Sequence, residues 1–219
     1  MRKMIPVNMP LIGEEEVRAV TKVLKSHILT GRLGSGPNVK QFEEKFAKFV
    51  KTKHAVAVNS GSAALHIALW AVGIKTGDEV ILPSFTFIAS AEAAILAGSR
   101  PVFVDINPQT YNIDPKKIEA AITEKTKAIM PVDLYGLSAE MGQIREIAKK
   151  HNLKIIEDAA QAHGATYKGK PPGYFADMAC WSFYASKNMT TGEGGMVTTN
   201  NDEYAENLRI IRSHGEKEE

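Results

Sequence analysis

From residue 54 onward the chain repeats one pattern: a short apolar run, a small polar break, then a segment of helical period. Strand candidates fall at 54–59, 79–83, 101–106, 128–134, 154–157, 178–184 and 195–199. Helix candidates occupy 63–72, 88–97, 115–122 and 139–151, and a last one runs over 202–212 from an Asp202 cap. Asp114 followed by Pro115 is a sound helix start, a capping carboxylate before a proline in the first turn. Several strand candidates are apolar throughout, as strands read when both faces of their sheet are covered. The pattern predicts an α/β fold, a mostly parallel seven-stranded sheet with helices on both faces. Links become short after Gly173, so one of the last strands is expected to run antiparallel.

The first fifty residues follow another rhythm. Residues 13–25 read as an amphipathic helix with Val17, Val20, Val23 and Leu24 on one face. A breaker stretch, G-R-L-G-S-G-P at 31–37, precedes a second helix carrying Val39, Phe42, Phe46, Phe49 and Val50. Residues 1–50 are therefore expected to be a helical segment packing on a large domain over 51–219. With 219 residues, 44% of them hydrophobic and 24% charged, the chain can bury one sizeable core. A net charge of +2 with no block of Lys or Arg gives no reason to expect nucleic acid or an anionic membrane. The single cysteine, Cys180, excludes an intramolecular disulfide framework and lies in an apolar run, which reads as a buried thiol. No run is apolar enough for a signal peptide or a membrane span, and the default expectation is a cytoplasmic location.

Ligands of open α/β sheets bind beyond the carboxyl ends of the strands. Four such ends here carry chemistry. N-S-G-S-A-A-L at 59–65 turns from strand into helix through Gly61, so that backbone N–H groups at the helix start, with the Ser62 hydroxyl, suit a phosphate. The same turn also reads as a plain serine-capped junction. P-S-F-T-F at 83–87 offers an aromatic to a flat ring, Phe87 before Phe85, against the alternative of core packing. I-I-E-D-A-A-Q-A-H-G at 155–164 ends a strand in Glu157 and Asp158, which alternation sends to opposite faces. In it Gln161 is a polar ligand candidate, and His163 reads more as a structural histidine than as a catalyst. No carboxylate or histidine shows metal-ligand spacing, and no metal is expected. S-F-Y-A-S-K-N at 182–188 ends an apolar run in Lys187, with Ser182 available to a phosphate. Alone, Lys187 reads as a solvated surface lysine. Together and in this order, phosphate turn, aromatic, acid, lysine and glycine turn fit pyridoxal phosphate (PLP), which takes a lysine Schiff base and an acidic partner for its ring nitrogen. A dinucleotide-binding reading fails because no G-x-G-x-x-G follows a strand.

These motifs resemble those of the DegT/DnrJ/StrS family of sugar aminotransferases, which has the aspartate-aminotransferase fold. The resemblance runs from I-P-V-N-M-P-L-I-G-E-E-E at 5–16 through G-S-A-A-L-H-I-A-L, G-D-E-V-I-L-P-S-F-T-F, P-V-F-V-D-I and L-Y-G to the acid and lysine segments. It implies that Lys187 forms the Schiff base and that Asp158 pairs with the ring nitrogen. Gln161 would contact the cofactor, Phe87 would stack on its ring, and Gly61, Ser62, Ala63 and Ser182 would hold its phosphate. Ser62 stands where threonine is more usual and keeps the hydroxyl. The implied reaction moves an amino group, from L-glutamate, to a keto group of a nucleotide-linked sugar. Family members with histidine at the lysine position are dehydratases; the lysine here favours transamination. The resemblance also implies a homodimer and a C-terminal small domain. That domain is expected to be missing from 219 residues, to be supplied by a separate polypeptide or lost in a fragment. A truncated PLP-binding protein without turnover, and a sugar dehydratase, stand as the alternatives.

Overall fold

A computed structural model describes residues 6, 8–31 and 35–217. The sheet has seven strands: β1 (His54–Val58), β2 (Glu79–Pro83), β3 (Arg100–Val104), β4 (Thr126–Ile129), β5 (Lys154–Asp158), β6 (Met178–Ser182) and β7 (Gly195–Thr199). Their order is β1-β7-β6-β5-β4-β2-β3. All neighbours are parallel except β7, which runs antiparallel to both β1 and β6. The short links after Gly173 announce this reversal, since parallel strands need long crossovers and antiparallel ones do not.

The described residues form seven α-helices: α1 (Glu14–Ser26), α2 (Pro37–Phe49), α3 (Gly61–Ala71), α4 (Ile88–Leu96), α5 (Pro115–Ile118), α6 (Met141–His151) and α7 (Asp202–Arg212). Strand alternation divides the core. On β6, Met178 and Cys180 face one apolar cluster with Leu65, Leu69 and Ala94 of α3 and α4. Ala179 and Trp181 face another with Phe46 and Ala47 of α2. Ile81, Ile129 and Ile155 build a third with Ile118 and Ile144 of α5 and α6. Helices thus cover both faces. Glu43 ties three elements together, accepting from the Ala57 N–H at 2.8 Å and from Arg212 Nη1 at 2.6 Å.

Several sequence-based bounds shift, each for a local reason. The strand expected over 128–134 stops at Ile129. Pro131 has no N–H to give a ladder, and beyond it Val132 makes a single bridge to Asp158. Leu134–Gly136 is a 3₁₀ turn with Tyr135 in the left-handed region at φ 55°. The last helix is capped by Asn201, whose Oδ1 accepts from the Tyr204 N–H at 3.1 Å, not by Asp202. Asp202 binds Lys53 and His54 instead. α2 buries Phe46 and Ala47 against the sheet, while α1 has no buried residue. Val17, Val20 and Leu24 stay exposed, because nothing among the described residues lies against that stripe. No described helix is long and apolar enough to cross a membrane.

Candidate active site

α3 begins one residue after its cap. Ser60 Oγ accepts from the Ala63 N–H at 3.1 Å, and Gly61 is the first helical residue. The serine that caps is therefore Ser60, while Ser62 lies exposed in the first turn. Ala63 spends its N–H on that cap; the N–H groups of Gly61 and Ser62 belong to the turn that has no intrahelical acceptor. Gly61 presses on the end of β6: a Cβ built there would stand 2.8 Å from Ser182 Cβ and 3.2 Å from Ser182 Oγ. From the other side Gly195, first residue of β7, backs onto the Ser60 carbonyl, which any Cβ at 195 would overlap. Gly195 is not among the residues that the sequence singles out. Its signal was the glycine-rich stretch after Lys187, where two successive glycines lead into a strand. The result is a close meeting of small residues at a helix start, where backbone N–H groups, the Ser182 hydroxyl and the helix dipole suit an anion.

Asp158 closes β5 and is 6% exposed. Its parity with Ile156 places it on the α3–α4 face, and Glu157 on the other. Ser90 Oγ donates to Asp158 Oδ2 at 2.8 Å, and the Ala160 N–H donates to Oδ1 at 3.1 Å. Burial pushes the Asp158 pKa up; the Ser90 and Ala160 donors and the charge of Lys187 oppose that rise. Ser90 was not singled out from the sequence, because a serine within I-A-S-A-E-A-A-I-L reads as helix filler. Phe87 caps the same helix backbone and is 72% exposed, so core packing does not account for it. Phe85 lies against Tyr111 with ring centroids 6.0 Å apart.

Three residues beyond Asp158, Gln161 Oε1 accepts from the Tyr135 N–H at 2.7 Å. His163 sits in an aromatic cage, its ring 5.4 Å from Trp181 and 5.3 Å from Phe183. Burial, then the charge of Lys187, lowers its pKa to about 4. Lys187 is not at the strand end expected for it. β6 stops at Ser182, and Lys187 lies in a turn closed by its own N–H to the Tyr184 carbonyl at 2.9 Å. That loop is pinned at its base, where Thr190 Oγ1 and the Thr191 N–H both donate to the Phe183 carbonyl at 3.0 Å. The amino-terminal segment reaches it too: Asn8 Nδ2 donates to the Ala185 carbonyl at 2.8 Å. Among the described residues no ion pair joins Lys187 to Asp158, although the lysine's charge acts on both Asp158 and His163.

Glu157 and Asp133 form a buried acid pair behind the site. Glu157 Oε2 accepts from the Gly173 N–H at 2.6 Å and Asp133 Oδ1 from the Ala139 N–H at 2.9 Å. Their remaining oxygens, Glu157 Oε1 and Asp133 Oδ2, are buried with no hydrogen-bond partner among the described residues. Burial raises both pKa values, that of Asp133 to about 6 and that of Glu157 well above the carboxylate range. Elsewhere, a cavity of about 460 Å³ between α2 and α7 is lined by charges of both signs and includes none of these residues.

A mostly parallel seven-stranded sheet with helices on both faces is the architecture of the α/β large domain of PLP-dependent aminotransferases. The chain belongs to the DegT/DnrJ/EryC1/StrS aminotransferase family, whose sequence model matches residues 10–219. It is 53% identical over 180 residues to GDP-perosamine synthase of Caulobacter vibrioides, covering 82% of this chain and 48% of that protein. The solved aminotransferase from Psychrobacter cryohalolentis superposes with a TM-score of 0.91 at 44% identity, covering 94% of this chain and 52% of that one. NtdA from Bacillus subtilis, solved with bound cofactor PMP, gives a TM-score of 0.82 at 39% identity, covering 95% of this chain and 48% of that one. The chain spans about half the length of the curated relatives it matches.

Proposed function

We propose that this chain is the cofactor-binding part of a PLP-dependent aminotransferase that moves an amino group from L-glutamate to the keto group of a nucleotide-linked sugar. The observation that carries the reading is Asp158, a buried carboxylate held at both oxygens, facing the same side of the sheet as the Gly61–Ser182 contact. A flat ligand with a phosphate at one end and a basic nitrogen at the other answers both features. The two glycines support the phosphate assignment, because a side chain at 61 would push Ser182 away and one at 195 would displace the Ser60 carbonyl, moving the groups that would bind it.

Bound PLP supplies an aldehyde that takes up amines and a protonated ring that draws charge from the substrate carbon. The protein supplies the rest. Asp158 holds the proton at the ring nitrogen through a charge-assisted hydrogen bond. Phe87 stacks on one ring face, and Gln161 contacts the cofactor once its hold on Tyr135 is shared or released. The N–H groups of Gly61 and Ser62, with the Ser62 and Ser182 hydroxyls, bind the phosphate; Ala63 joins them if Ser60 yields its N–H. Lys187 would be the residue that holds the cofactor's aldehyde end. Its free amine would serve as the general base and acid that moves the substrate's proton.

GDP-perosamine synthase is a relative named for a nucleotide-linked sugar, which supports that substrate class. Because the relatives are about twice as long, turnover is assigned to this part together with the remaining half, from a separate polypeptide or the same one, in a homodimer. The test is a half-reaction. Protein reconstituted with PLP turns yellow, and L-glutamate bleaches the colour with release of 2-oxoglutarate. Colour that persists under glutamate would instead support a PLP-binding protein without turnover.

A further inference from the structure

The start of α4 does two things at once. Phe87 caps it, and one turn on, the fully buried Ser90 donates its N–H to the Phe87 carbonyl at 3.1 Å. The Ser90 hydroxyl has a single hydrogen. Asp158 Oδ2, 2.8 Å away, is an acceptor when ionised and takes that hydrogen. The second link, Thr86 Oγ1 to Ser90 Oγ at 2.8 Å, must then run from Thr86 as donor to Ser90 as acceptor. With Asp158 ionised, the relay runs from Thr86 to Ser90 to Asp158. Ala160 meanwhile donates to the other carboxylate oxygen. The carboxylate is thus held from two elements, one of which also carries Phe87.

We propose that Ser90, backed by Thr86, is a positioning residue for Asp158: it fixes the carboxylate's rotation relative to Phe87 so that the acid meets the nitrogen of a ring lying on that aromatic. The inference rests on the PLP reading for its purpose, but the relay itself does not. A carboxylate free to rotate would meet the ring nitrogen in only part of its orientations, and placing one correctly is what a locked supporting contact achieves. The relay also stabilises the charged form, since a hydrogen bond to a carboxylate favours ionisation. Other titratable groups whose charges couple to Asp158 are Cys180 on β6, Asp133 beyond β4 and Lys187 in the loop after β6.

The experiment compares Ser90→Ala and Thr86→Val with the unaltered chain, alone and in an Asp158→Asn background. In the cofactor-free protein, carboxyl carbon NMR follows the Asp158 titration; Ser90→Ala raises its pKa, and Thr86→Val raises it less. With PLP, Ser90→Ala weakens binding about tenfold, or about 1.4 kcal/mol, and this loss disappears in the Asp158→Asn background. An unmoved Asp158 titration, or an equal loss in the Asp158→Asn background, overturns the proposal. Should Ser90→Ala fail to fold, Thr86→Val decides by the same two readouts. Should the unaltered chain not bind PLP at all, the functional reading falls, while the NMR titration still decides whether Ser90 controls Asp158.

Discussion

Gly61 and Ser182 meet at the head of the sheet, and a Cβ on Gly61 would lie 2.8 Å from the Cβ of Ser182. The two are 121 residues apart in the chain by the difference of their numbers, yet α3 and β6 bring them into contact. No flexible side-chain end lies between them to give way, so any substitution at 61 must move the helix start or the strand end. Gly61→Ala is expected to cost about 1–3 kcal/mol as overpacking and to lower PLP affinity more than tenfold. Urea unfolding and cofactor titration measure the two losses separately.

The two serines of the same turn should part company. Ser60 caps α3, and Ser60→Ala is expected to lower stability by about 1 kcal/mol. Ser62 is exposed and makes no cap. Ser62→Ala should leave stability within about 0.5 kcal/mol while weakening PLP binding. Melting curves with and without cofactor distinguish them.

Trp181 is fully buried between Phe46 and His163, and its Nε1 donates to Thr198 Oγ1 at 2.9 Å. Trp181→Ala should cost about 3–5 kcal/mol. Trp181→Phe removes the bond and part of the volume, orphaning little because Thr198 Oγ1 also lies within reach of the Ala179 carbonyl at 3.4 Å; its expected cost is the smaller of the two. Denaturant midpoints for both variants check the ranking.

Stability should respond to acid through two groups that pull in opposite directions. Burial and the nearby Lys187 charge put His163 at about 4 against an ordinary 6.5, so the fold favours its neutral form. Its contribution is full above pH 6.5 and is lost as pH falls toward 4. Burial puts Asp133 at about 6 against an ordinary 3.8, so the fold favours its protonated form. That contribution is full below pH 3.8 and is lost as pH rises toward 6. Relative to the unaltered chain, His163→Phe should gain stability as pH falls through its window, and Asp133→Asn should gain as pH rises through its own. Urea midpoints from pH 4 to 7 read both slopes, and parallel curves for all three proteins would contradict the assignments.

The sheet was legible because its signal is redundant: each strand is an apolar run bounded by its own breakers, and one misplaced end does not change the count. Ends were less legible because they turn on single residues. Pro131 truncates β4 through a missing N–H, and Asn201 takes the cap that Asp202 invites. At the site, Asp158 and Lys187 stood out as charges at the ends of apolar runs. Lys187 nonetheless lies five positions beyond the last residue of β6, in a loop whose shape depends on Thr190 and Thr191 hydrogen bonds that no periodicity encodes. Ser90 and Gly195 were invisible for the opposite reason. Each is small and unremarkable in its own segment, and becomes informative only through a partner far away in sequence, Asp158 or Ser60. The Val17–Leu24 stripe of α1 shows that periodicity identifies an apolar face without saying what covers it.

The most direct test of the central claim is borohydride reduction of the chain incubated with PLP, followed by peptide mapping. The account predicts one reduced cofactor, attached to Lys187, with attachment abolished by Lys187→Ala and cofactor affinity weakened by Asp158→Asn. Label on another lysine, or no label on a chain shown by circular dichroism to be folded, would contradict it.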